Sequence, residues 1–356
     1  MSHKAPPKGR GASENPPNRF ERIHLERDPG FDPAEDPGPS TQFFHDSTRT
    51  IINYNDSPDI GFNASINPYR GCEHGCIYCY ARPTHEYLGF SAGLDFESRI
   101  MVKADAPELL RKELSSPKWQ PQVIALSGVT DCYQPVERKL KLTRRCLEVL
   151  AEFHNPVAIV TKNRMITRDV DVLRELARHQ AVAVYVSLTT LDSTLTPKME
   201  PRASLPNHRL TAIKTLYEAR VPVGVLLAPI IPGLNDHEIP SLLDAAMNAG
   251  AQYAAYVPLR LPFGVGKLFE DWLTCYFPDR KEKVLNQIRS LRGGRLNDPN
   301  FGSRMRGEGL LADQLEALFS VARRKAGLEE QGPKLSAAAF RVPASEGEKN
   351  QQTFEF

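Results

Sequence analysis

Three of the chain's six cysteines fall within the stretch NPYRGCEHGCIYCYAR. Cys72, Cys76 and Cys79 follow a Cys-x3-Cys-x2-Cys spacing, which brings three sulfurs to one centre. Arg70, Gly71, Glu73, His74 and Gly75 surround them, a polar setting unlike a run of small core hydrophobes. Three metal centres suit thiolates so placed. A structural zinc ion takes four ligands. His74 or His85 would complete that set, although no second Cys/His pair follows at finger-like spacing. An ordinary ferredoxin cluster takes four cysteines. Cys132, Cys146 and Cys275 remain, but none stands in a ferredoxin-like context. A four-iron cluster held by three thiolates keeps one iron open, and an open metal position is what binds a reactant. The sequence favours this third reading without excluding the others.

Such a loop needs a scaffold, and the middle of the chain supplies one. Short apolar runs recur at 122–128, 157–162, 182–190, 223–230 and 252–259. Amphipathic segments at 137–153, 167–179, 206–220 and 236–250 separate them. β-Branched runs of this length suit strands buried on both faces of a parallel sheet. Asp236 is placed to start a helix and Gly250 to end one. A further strand near FNASINPY brings the count to six. A βα repeat builds either an open doubly wound sheet or a barrel. In both, chemistry gathers at the C-terminal strand ends. The cysteine loop, SGVTDCYQ, TKN, SLTTLD and PIIPGLND all fall there.

The flanks differ. Residues 1–46 are rich in Pro, Gly, Asp and Glu and read as a disordered arm, with a short helix as an option at 18–28. Residues 263–328 read as a helical extension, and 329–356 as a polar tail. Between 280 and 325, eleven Lys/Arg stand against five Asp/Glu. The net charge of +2 names no partner by itself. No run approaches the ~18 apolar residues of a membrane helix. The first residues have no apolar signal region. The expectation is a cytoplasmic protein, where clustered cysteines point to metal or redox chemistry rather than disulfides.

GCEHGCIYCYAR resembles the signature of radical S-adenosylmethionine enzymes. With SGVTDCYQPVE and TKN downstream, the chain is similar to the spore photoproduct lyase-like branch, over about residues 60–260. The arm and FGSRMRGEG resemble a bacterial subgroup of that branch. The resemblance implies an α/β fold, a partial (β/α)6 TIM-like barrel. It also implies a [4Fe-4S] cluster on Cys72, Cys76 and Cys79, with S-adenosylmethionine on the open iron. An external one-electron reductant of flavodoxin or ferredoxin type would drive cleavage to a 5′-deoxyadenosyl radical.

The resemblance also implies roles for further residues. Tyr78 would pack by the adenine. Ser127, Gly128, Thr130 and Asp131 occupy the place of the glycine-rich segment that meets the methionine amino group. Thr161, Lys162 and Ser187 would reach the carboxylate or ribose, or serve as satisfied polar residues of the barrel. Glu200 and Arg202 resemble a ribose and carboxylate pair. Cys132 is a candidate hydrogen donor to a product radical, or a buried bystander. Gln134 and Glu137 would bind substrate, or merely start the next helix. Arg304 and Arg306 lie in a glycine-bounded loop suited to an anion, and nucleic acid is a candidate partner. Set against a radical enzyme, including a DNA-lesion lyase, is a non-catalytic Fe–S or zinc protein that binds nucleic acid or a partner.

Overall fold

The structure is a computed structural model, and it describes residues 5–20 and 39–343. Ten strands are present among them: β1 (Gln42–His45), β2 (Ile52–Tyr54), β3 (Ala64–Ile66), β4 (Tyr69–Arg70), β5 (Arg99–Val102), β6 (Ile124–Leu126), β7 (Val157–Thr161), β8 (Val182–Ser187), β9 (Val223–Ile230) and β10 (Ala254–Pro258). The main sheet runs β10-β9-β8-β7-β6-β3-β2. Strands β3 and β6 to β10 are mutually parallel, and β2 joins antiparallel at the edge. The two outer strands do not pair with each other, so the barrel stays open. These are the six strands read from the apolar runs. In β8 only Tyr185 is not fully buried, as expected of a strand covered on both faces.

The helices follow the same logic. Leu142–Phe153 buries Leu142, Cys146, Leu147, Val149, Leu150 and Phe153 along one face. Pro206 starts the helix Pro206–Glu218, where its missing N–H costs nothing. Gly250 ends the helix Ile239–Asn248 with φ +100°, and a Cβ there would meet Tyr217 at 2.5 Å. Each fully buried Leu, Ile or Val contributes roughly 1.5–3 kcal/mol. The main core draws such residues from β3 and β6 to β10 and from the flanking helices.

Two flanking regions differ from the sequence reading. The helices Val265–Tyr276 and Lys281–Leu291 share an apolar cluster with Cys76, Ile77 and Tyr78. Leu310–Lys325 places Leu315 and Phe319 in the main core. The basic extension thus braces the barrel; Lys283, Arg324 and Lys325 lie on the exposed face of helices whose inner face is apolar, while Arg292 is buried and donates to Leu259 O at 2.8 Å. The expected arm and tail are also engaged where described. β1 pairs parallel with β5, and residues 10–12 are buried. Glu329 accepts from Ala254, and Phe340 packs on Phe153. Most of the helix option at 18–28, and the tail beyond 343, lie outside the described residues. Among the described residues no helix is long and apolar enough to cross a membrane.

Candidate active site

A cavity of about 470 Å³ opens at the C-terminal ends of the parallel strands. Cys72, Cys76 and Cys79 line it together with Tyr78. The cysteine loop follows β4, and Gly71 (φ +80°) and Gly75 (φ +66°) supply its left-handed turns. Gln134 holds the loop from one side: it accepts from Glu73 N at 2.9 Å and donates to Gly71 O at 3.2 Å. Arg82 holds it from the other, donating to Cys76 O at 3.0 Å and Gly75 O at 3.2 Å. Burial, then the Glu200 charge, pushes the Cys76 thiol well up. Burial and then Cys72 raise Cys79. Three thiolates in such a place need a cation among them.

The loop after β6 forms the next wall. Ser127, Gly128, Thr130 and Asp131 all line the cavity. Ser127 has φ +86°, and its Oγ donates to Thr130 O at 2.6 Å and accepts from Cys132 N at 3.0 Å. Asn67 Oδ1 accepts from Val129 N and Thr130 N at 2.9 and 3.2 Å. Asp131 ties this loop to the end of β7, accepting from Thr161 Oγ1 and Lys162 N, each at 2.8 Å. His74 Nδ1 lies 3.4 Å from Asp131 Oδ2. Burial opposes the Asp131 charge, but His74 and these hydrogen bonds outweigh it and hold the carboxyl at about 2. Asp131 therefore stays ionised and fastens the wall.

Thr161 and Lys162 line the cavity from β7. Lys162 Nζ donates to Ser187 Oγ at 3.0 Å and lies 5.9 Å from the centre of the Tyr78 ring. Among the described residues it has no carboxylate in ion-pair contact. Ser187 itself is fully buried behind it.

Several candidates are spent on structure instead. Glu200 is buried and does not line the cavity; it accepts from Tyr78, Thr189 and Arg209. Burial opposes its charge, and Arg209 and then Lys162 keep its carboxyl below the ordinary range. Its role in the structure is to aim Tyr78. Arg202 is turned away, with Nη1 3.2 Å from both Glu73 Oε1 and Thr41 Oγ1. Glu137 accepts from Tyr69 OH at 2.6 Å, Thr143 N at 3.0 Å and Arg168 at 2.8 Å, which leaves no oxygen for substrate. Gln134 is equally occupied in holding the loop. Cys132 is fully buried in the main core, does not line the cavity, and burial lifts its thiol well above the usual range. A protonated thiol suits hydrogen donation, but this one has no surface on the cavity. Arg306 is exposed and off the cavity. Arg304 does line it, bonded to Asp59 and, at 2.8 Å, to Ser57.

The sequence reading missed other residues. Arg209, fully buried, orients Glu200. Tyr80 lines the cavity and donates to Gly128 O at 2.6 Å. Arg260, just past β10, lines the far wall; its Nη1 touches Met305 Sδ, and among the described residues it has no ion pair. Position at a strand end was the available signal for Arg260. Nothing in the sequence marked Arg209.

The sequence of this region matches one known family. Residues 66–246 match the model of the Radical SAM superfamily, and the chain belongs to that family. An uncharacterised protein of Mycobacterium tuberculosis is 33% identical over 248 residues, covering 69% of this chain and 72% of the relative. One of Methanocaldococcus jannaschii is 31% identical over 173 residues, or 49% of this chain and 62% of the relative. The fold is similar to a mutant of spore photoproduct lyase, with TM-score 0.59, 16% identity and 81% of each chain covered. It is also similar to a second mutant of that enzyme with bound AdoMet and dinucleoside spore photoproduct, at TM-score 0.58 and 15% identity, covering 81% of this chain and 80% of that one.

Proposed function

We propose that the chain is an enzyme that holds a [4Fe-4S] cluster on Cys72, Cys76 and Cys79 and cleaves S-adenosylmethionine reductively. The observation that carries this reading is the meeting, in one cavity, of three free thiols with the polar ends of β6 and β7. The donor set fits the cluster. Three soft sulfurs suit iron. Among the described residues, no three Cys, His, Asp or Glu side chains converge as they must around a single ion.

When bound, the cluster and S-adenosylmethionine supply a 5′-deoxyadenosyl radical that abstracts hydrogen from substrate. The chain's own part is to bind, orient and exclude water. Lys162 is the cation available for the cofactor's carboxylate, with Thr161 beside it. Tyr78, fixed by Glu200, presents its ring to the cavity next to Cys79. The Ser127–Thr130 backbone, held in place by Asn67 and Asp131, offers polar groups to the methionine end. The apolar remainder, including Phe62, Val129, Leu226 and Val257, keeps water from the reacting carbon.

The substrate is read more coarsely. Arg260 and Arg304 at the far wall support an anionic group on it, and this is the ground for a DNA-lesion substrate. Arg304 is already ion-paired with Asp59. Nucleic-acid binding would then be salt-sensitive and would weaken on Arg260→Gln. The reductant would be an external one-electron donor.

The test is anaerobic reconstitution with iron and sulfide, then reduction in the presence of S-adenosylmethionine, scoring 5′-deoxyadenosine. Product from the native chain and none from Cys76→Ala is expected. Zinc bound in place of iron, or iron without any cleavage, would favour the non-catalytic alternative.

A further inference from the structure

Behind the cysteine loop, on the side away from the cavity, lies a network that the proposed chemistry does not use. Its centre is Glu97, a carboxylate with no solvent exposure. Glu97 Oε1 accepts from Arg82 at 2.5 Å, and Arg82 is the residue whose guanidinium also binds Gly75 O and Cys76 O. The rest of the Glu97 carboxylate is filled from the far N-terminus. Gly11 N donates to Oε2 and Ala12 N to Oε1, each at 2.9 Å. Arg10, also buried, donates to Glu97 O at 2.7 Å.

The fit is close. A Cβ on Gly11 would lie 1.8 Å from Gly75 O and 3.2 Å from Ile77 N. A Cβ on Gly75 would in turn meet Glu97 Oε2 at 2.7 Å. Only glycine allows the N-terminal backbone to lie against the backbone of the cysteine loop. Farther along, Asn15 exchanges two hydrogen bonds with Asp95, at 3.0 and 2.9 Å. Asn18 donates to Glu86 O and Phe90 O, and Arg19 pairs with Glu86 at 2.6 Å. Residues 10–19 are therefore stitched along the segment 82–97 that follows the cysteines.

We propose that residues Arg10–Ala12 are part of the cluster site: a backbone clasp that positions the cysteine loop through Glu97 and Arg82 and seals its rear face from water. The inference rests on the cluster reading above. The physical reason is that a buried carboxylate needs its full set of partners. Removing the clasp strips two N–H donors from Glu97 and leaves Arg82 as its main counter-charge. Arg82 can then turn more of its N–H groups onto Glu97, which it already contacts, and release the carbonyls of Gly75 and Cys76. Cluster properties follow solvent exposure and the hydrogen bonds around the sulfurs. Loosening the rear of the loop changes both without touching a thiol.

The experiment compares the full chain with Gly11→Ala, Arg10→Gln and Arg10→Lys. Each is reconstituted anaerobically and measured for iron and sulfide per chain, for the electron paramagnetic resonance g-values of the reduced cluster, and for the rate of bleaching in air. Thermal unfolding of the apo chains runs in parallel. Gly11→Ala is expected to bleach at least about fivefold faster than the native chain and to shift the g-values. Arg10→Gln should do so less strongly, with Arg10→Lys recovering part of the loss, while the apo proteins still unfold cooperatively. Native g-values and bleaching rates in both Gly11→Ala and Arg10→Gln would overturn the proposal. So would cluster changes in Arg10→Gln that only track a loss of fold. A native chain that takes up no iron would instead remove the cluster reading, and this proposal with it.

Discussion

Cysteines occupy two settings near the same strand ends. In the loop after β4, Cys72, Cys76 and Cys79 line a cavity. Past β6, Cys132 is fully buried in the main core and does not line the cavity. Burial raises the thiols of Cys76, Cys79 and Cys132 alike. Burial therefore does not separate a ligand from a bystander. What separates them is the space in front of the sulfur and the backbone behind it. The loop cysteines sit on left-handed glycine turns held by Gln134 and Arg82. Cys132 gives its amide to Ser127 and its carbonyl to Thr143, and its sulfur faces the core.

That contrast breaks first at Cys76. Cys76→Ala is expected to lose iron binding and to lower 5′-deoxyadenosine formation at least about 100-fold, or some 2.7 kcal/mol. The next largest effect is on stability. Arg209→Met leaves Glu200 charged and buried without its cation, which costs about 3–5 kcal/mol. Urea unfolding should show the loss, and adding Glu200→Met should restore part of it.

Lys162→Met sharpens the assignment of the cavity wall. It should weaken S-adenosylmethionine binding about tenfold with iron content unchanged, as read by equilibrium dialysis. Asp131 gives a pH signature. Its folded value, about 2, lies below the ordinary 3.8, so its stabilisation is full above about 4 and is lost as pH falls towards 2. The apo Asp131→Asn chain should lose less stability than the native chain across that window. The smallest effect belongs to Cys132→Ala. It should cost about 1 kcal/mol of packing and leave cofactor cleavage within twofold; a loss as large as that of Cys76→Ala would put Cys132 at the reacting centre after all.

The strands were legible because a parallel sheet buried on both faces demands uninterrupted β-branched runs. The run 223–230 coincides with β9 from end to end. Gly250 was legible because a left-handed helix stop favours glycine. The cysteine loop was legible by spacing alone. What the sequence concealed was pairing across distance. Glu200 reads as a free carboxylate until Arg209 is seen turned back onto it from the next helix. Glu137 looks like a substrate ligand until Tyr69 and Arg168 arrive from separate elements. The N-terminal segment reads as disordered because its composition supplies no core of its own. Its partners, Glu97 and Asp95, stand about 80 residues away. Composition reports whether a segment can fold alone, not whether it can complete another segment's hydrogen bonds.

The central claim is that three cysteines leave one iron open to S-adenosylmethionine. The most direct measurement is electron-nuclear double resonance on the reduced cluster, with S-adenosylmethionine carrying oxygen-17 in its carboxylate and nitrogen-15 in its amino group. Resolved coupling to both nuclei is expected in the native chain, with no cluster signal in Cys76→Ala. A reduced cluster that binds S-adenosylmethionine but shows no coupling to either nucleus would contradict the claim.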